Sequence, residues 1–162
     1  MKKRKDDKKN FKYYWNFIDV PVIVLIVWTA ITLVFPLKDY IPGLAFSVIS
    51  WAITILVFAY IGYVVIREKS NTTKNAAKAG AWAGAITGLG GAILTIAAYY
   101  ISPGIFNETL QQMLKGGLDT NSAQLFLKIG IFSGLVTGPL ISALIGALIA
   151  WISSLIFRNK KR

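Results

Sequence analysis

The chain has 162 residues and contains neither cysteine nor histidine. Without cysteine there are no disulfides, thiolate nucleophiles or cysteine-based metal sites. Without histidine the chain lacks the commonest metal ligand and the commonest general acid–base group. Charge is also scarce: Asp, Glu, Lys and Arg make up 15% of the residues, and 7 acids stand against 18 bases. No paired acids fall inside an apolar stretch. Together these gaps point away from an enzyme and from any metal or cofactor, so no catalytic residue and no metal ligand is assigned. What the sequence does have is apolar: 55% of residues are hydrophobic and mean hydropathy is +0.57. A soluble domain of this length would carry more charge. Here the charge sits in short clusters separated by long uncharged runs, the pattern of several transmembrane helices.

The net charge of +11 does not point to nucleic acid. The bases lie beside hydrophobic runs rather than on a folded basic face, so they read as topology signals and as contacts for anionic lipid headgroups. Residues 1–14 form a basic tail, disordered by composition over its first twelve residues. Tyr13, Tyr14 and Trp15 follow, aromatics suited to headgroup level. A first span is expected from about Phe17 to Phe35. Asp19 is placed as its N-cap or as an ion site, and Pro21 in its first turn. The run is long enough to cross a bilayer, and Val34 to Leu37 offer no small-residue cleavage site, so it reads as a retained helix. Pro36 to Gly43 form a proline-bracketed hairpin turn.

The second span is expected over about Leu44–Ile66, with Ser47, Ser50 and Thr54 bonding back to their own backbone. A polar link carries Arg67, Lys69, Lys74 and Lys78, with caps from Ser70 to Thr73. The third span is expected over Ala79–Ile101. A short amphipathic helix follows, with Leu110, Met113 and Leu114 on one side, lying on the membrane or over the bundle mouth. Gly116 and Gly117 end it. The last helix is expected from about Ser122 to Phe157, with caps from Asp119 to Ser122 and a kink at Pro139. A basic tail, residues 159–162, closes the chain. The expected fold is therefore all-α: a polytopic membrane protein with four transmembrane helices over residues 15–158 and a short extracytoplasmic helix between spans three and four. Fifteen of the 18 bases fall in the first tail, the second link and the C-terminal cluster, which share one side. The positive-inside rule makes that side, and both termini, cytoplasmic.

Two stripes of small residues stand out. One runs through Gly130, Gly134, Gly138, Ser142, Gly146, Ala150 and Ser154; the other through Ala76, Gly80, Gly84, Gly88 and Ala92. Such faces let helix backbones approach closely. Four residues turn a helix by about 400°, so each stripe drifts about 40° per step, and the longer one is expected to need more than one partner. Its early part is assigned to the third span and its later part to another helix or a second copy. The stripes share a local pattern, K-x-G-x-x-x-G-x-x-T-G, at Lys78, Gly80, Gly84, Thr87 and Gly88 and again at Lys128, Gly130, Gly134, Thr137 and Gly138. The two copies run in opposite directions through the bilayer, a device of inverted-repeat transporters.

With a Gly-rich third helix, the exit Ser102-Pro103-Gly104 and a basic C-terminus, the second half of the chain resembles the small, uncharacterised four-span membrane proteins of bacteria and archaea. That resemblance implies a four-span layout and no activity. The residues lead to a non-catalytic role as an interaction, scaffold or accessory subunit working through Gly-lined faces, as a homo-oligomer or in a larger membrane complex. The alternative is a small homo-oligomeric transporter or channel subunit.

Overall fold

The computed structural model describes residues 11–35, 41–68 and 72–158. Residues 1–10 of the expected basic tail, most of the first turn, part of the second link and the final basic cluster fall outside them; residues 11–14, expected in that tail, are helical. Five α-helices make up the fold, and no strand occurs among the described residues. They are α1 (Phe11–Val34), α2 (Gly43–Arg67), α3 (Thr73–Ile101), α4 (Asn107–Lys115) and α5 (Thr120–Arg158); a single 3₁₀ turn, Pro103–Phe106, joins α3 to α4. Helices α1, α2, α3 and α5 are long and apolar enough to cross a membrane. At 1.5 Å per residue the first three are about 36–44 Å long, against a hydrocarbon layer of about 30 Å.

The helices run past their apolar stretches. Helix α1 is already formed at Phe11, the first described residue, so Asp19 and Pro21 lie inside it rather than at its start. Asp19 therefore does not cap the helix; its Oδ1 accepts the neighbouring Val20 N–H at 2.7 Å. The apolar run marks where lipid begins, whereas the helix begins where the backbone can first hydrogen-bond. Helix α3 likewise starts at Thr73, taking Lys74 and Lys78 into its first turns. Thr72 caps it, its Oγ1 accepting the Asn75 N–H at 3.4 Å. Helix α5, 39 residues long, continues unbroken through Pro139.

Helix α4 ends in a Schellman motif, in which Leu118 N–H donates to the Met113 carbonyl and Gly117 N–H to that of Leu114. Gly117 sits there at φ +92°, a conformation that costs glycine little because it has no Cβ.

Antiparallel α3 and α5 form the most extensive helix pair. Helix α2 packs on both, and α1 packs mainly on α3. Most of the core lies toward one end of this bundle, where α1 and α3 begin and α2 and α5 end (the basal end). Tyr14, Ile18, Val22 and Leu25 line one stripe of α1. They meet Phe58, Ile61 and Val65 of α2 and Ala76, Ala79 and Ala83 of α3. At the opposite, distal end burial thins out: α3 keeps Ala92, and α5 keeps Ala123 and Ile131.

Candidate functional site

The basal half is closed by backbone-to-backbone packing. A methyl group added at Gly80 would collide with the Gly146 carbonyl, and one at Gly84 with the Ser142 carbonyl. A methyl at Gly88 would lie 2.5 Å from the Gly138 carbonyl oxygen and 2.8 Å from the Pro139 Cα. Each step of four toward the distal end of α3 is matched by a step of four back along α5, so the two stripes mesh as an antiparallel seam. Helix α2 joins it at Gly62, where an added methyl would strike the Ala150 carbonyl. One hydroxyl ties α2 to α5, with Ser153 Oγ donating to the Ala59 carbonyl at 2.7 Å.

The seam differs from the expected pairing. The middle and late parts of the α5 stripe, from Gly138 to Ala150, face α3. Gly130 and Gly134, assigned beforehand to α3, have open space where their Cβ atoms would be. The drift of the stripe explains this, because a stripe that rotates about 40° per step stays against a straight partner for only about three steps. The two K-x-G copies therefore do not pack on each other. Of their glycines, Gly88 and Gly138 meet at the ends of the two copies.

Beyond that touching point α3 and α5 part, leaving a cleft of about 420 Å³ lined by Ala92, Thr95, Gly130, Ile131 and Gly134. Phe106 and Thr109, with Met113 of α4, line its distal part, so the short helix packs over the mouth between α3 and α5.

A second cavity, of about 260 Å³, lies between all four spans. Leu25, Trp28 and Thr29 come from α1, and Ser50, Trp51, Thr54 and Phe58 from α2; Thr87 comes from α3, and Ser142 and Ile145 from α5. It lies at mid-depth, since Thr54 and Thr87 sit near the middle of their helices. No charged residue lines it, but five hydroxyl side chains do.

Three of those hydroxyls spend their proton on their own helix. Thr29 donates to the Leu25 carbonyl at 2.9 Å, Thr54 to that of Ser50 at 2.8 Å, and Thr87 to that of Ala83 at 2.9 Å. Ser50 departs from the expected self-bonding: its Oγ is buried and has no hydrogen-bond partner. Burying a hydroxyl unpaired costs about 1–3 kcal/mol, and apolar surroundings give it nothing in return.

Sequence reading placed the small-residue seam in view and missed this cavity. Each Ser, Thr or Trp had its own local explanation. The collective signal, hydroxyls at mid-depth of every span, appears only once the helices are set side by side. No group of three or more potential metal-ligating residues occurs among the described residues. No protein-family model, curated protein or solved structure matches the chain.

Proposed function

We propose that this is a non-catalytic, multi-pass protein of the cell membrane, with both termini cytoplasmic, that works by associating within the bilayer as an interaction or accessory subunit. The observation that carries this reading is the division of the α5 stripe. Its Gly138–Ala150 part is used up inside the chain as an intramolecular glycine zipper. Gly130 and Gly134 continue the same side-chain-poor surface into the α3–α5 cleft, with nothing within 4 Å of where their Cβ atoms would be. Such a surface suits close approach of another membrane helix, and a second copy of this chain is the simplest occupant. The bases near the basal end suit anionic headgroups of the cytoplasmic leaflet.

Native mass spectrometry of the protein released from membranes tests this, because copy number and co-purifying partners are read together. Gly134→Leu is expected to weaken association while leaving the folded monomer intact, and Gly84→Leu to weaken the fold itself. A wild-type protein that is monomeric and partner-free in lipid would overturn the reading. A small transporter or channel subunit is the second reading, favoured by the uncharged, hydroxyl-bearing cavity at mid-depth between the four spans. Solute flux through liposomes carrying the protein would support it.

A further inference from the structure

We propose that the mid-depth cavity between the four spans is a binding site for a small uncharged molecule that carries both a hydrogen-bond donor and an apolar body. This goes beyond the association reading, which needs no ligand.

The class of ligand follows from what the walls offer. No charged side chain lines the cavity, so an ion would enter low-dielectric surroundings without a counter-charge, which is strongly unfavourable. The size, about 260 Å³, lies just below the range of drug-sized pockets, about 300–1,000 Å³. It exceeds the roughly 150 Å³ of an apolar cavity that holds benzene. A single aromatic or branched aliphatic group with one polar substituent fits those limits.

Hydrogen-bond accounting sharpens the choice. A hydroxyl has one proton and two acceptor sites. Thr29, Thr54 and Thr87 have committed their protons to backbone carbonyls, and each keeps acceptor capacity. Ser50 Oγ has no partner, but it is buried from the cavity as well as from the surroundings and so is not presented to a ligand. The threonine walls thus offer acceptors whose own protons are already used, and a ligand O–H or N–H is the group that pairs with them. Trp28, Trp51 and Phe58 supply flat apolar surface for the rest of the molecule. A lipid acyl chain would leave those acceptors unused, and so fits the cavity less well.

Benzyl alcohol and toluene test this directly, since they differ by one hydroxyl. The full chain, carrying Trp15→Phe, Trp82→Phe and Trp151→Phe so that Trp28 and Trp51 remain as reporters, is reconstituted in lipid nanodiscs and titrated with each. The expected result is a saturable change in tryptophan emission with benzyl alcohol and at least tenfold weaker saturation with toluene. Thr54→Val, which removes an acceptor at almost constant shape, should weaken benzyl alcohol up to about tenfold, the usual consequence of losing one hydrogen bond, while leaving toluene unchanged. Thermal unfolding of Thr54→Val should stay close to that of the parent, so that weaker binding reports the lost acceptor. Thr87→Val serves as a second variant that removes an acceptor contributed by α3. The proposal is overturned if both probes give only the linear response of bilayer partitioning. Equal affinity for the two probes, or Thr54→Val and Thr87→Val both binding benzyl alcohol as the parent does, would overturn it too.

Discussion

At the scale of single residues, glycine plays opposite parts at positions that look alike in the sequence. Gly84 and Gly134 each sit within a run of small residues four apart. A Cβ at Gly84 meets the Ser142 carbonyl and lies 2.8 Å from the Ala143 Cα, all backbone that cannot swing aside; at Gly134 it meets nothing. Alanine is the better helix former by about 0.5–1 kcal/mol, so the two substitutions should differ in sign. Gly84→Ala is expected to destabilise the folded protein by about 1–3 kcal/mol through overpacking, lowering its unfolding temperature in mild detergent. Gly134→Ala should leave that temperature unchanged or raise it slightly. Equal effects at the two sites would mean that the seam is looser than backbone contact. The same logic separates Ser50 from Thr54: both look self-satisfied on paper, yet only Thr54 returns its hydroxyl to the backbone.

At the scale of elements, helix ends are set by local chemistry. Helix α5 begins where the Asp119 Oδ1 accepts the Asn121 and Ser122 N–H groups, each at 3.0 Å, and its Oδ2 accepts the Ser122 hydroxyl at 2.6 Å. These bonds, the Ser122 hydroxyl foremost, hold the Asp119 carboxyl below the usual aspartate range. A carboxyl whose folded value is lowered lends stability that is complete above its unfolded value, about 3.9. That stability is lost as pH falls through the folded one. The first turn of α5 should therefore stay ordered to below pH 4 and fray under stronger acid, whereas Asp119→Ala should fray it at neutral pH. Backbone chemical shifts of residues 120–123 report both outcomes. Capping of this kind was legible in advance, as were the four spans, because cap chemistry and long apolar runs are local signals. The helical state of residues 11–14 was not, since the basic run that ends at Lys12 reads as tail, and what holds it lies far along the chain. The Tyr13 hydroxyl, for instance, reaches Glu68 Oε2 at 2.6 Å. Nor could spacing alone assign partners to the Gly stripes. Which part of a drifting stripe meets α3 depends on the crossing of two helices, and the pattern at Gly130 to Gly138 is silent about that.

At the scale of the whole molecule, packing and charge change along the same axis. The basal end is closed by the α1–α2–α3 core and by the seam, and the distal end opens into the α3–α5 cleft. Lys12, Arg67, Lys74, Lys78 and Arg158 belong to basal helix ends, whereas Lys115 and Lys128 belong to the distal segment. Aromatic clusters accompany both ends. Phe11 lies against Trp82 with ring centroids 5.0 Å apart, and the Arg67 guanidinium sits 4.7 Å over the Tyr63 ring at the basal end; Tyr99 meets Phe106 at 5.8 Å at the distal one. Aromatic rings at both ends and bases concentrated at one are what a bilayer with a cytoplasmic basal face selects, because lysine and arginine resist translocation in short segments. The tightly packed half would then face the cytoplasm and the cleft would open outward. Paired reporters test this orientation. A fluorescent protein fused after Arg162 should light up and a phosphatase there should stay silent, with the reverse for reporters inserted at Gly117. Phosphatase activity after Arg162 would invert the molecule, and the cleft beside Gly130 and Gly134 would then have to serve partners arriving from the cytoplasmic side.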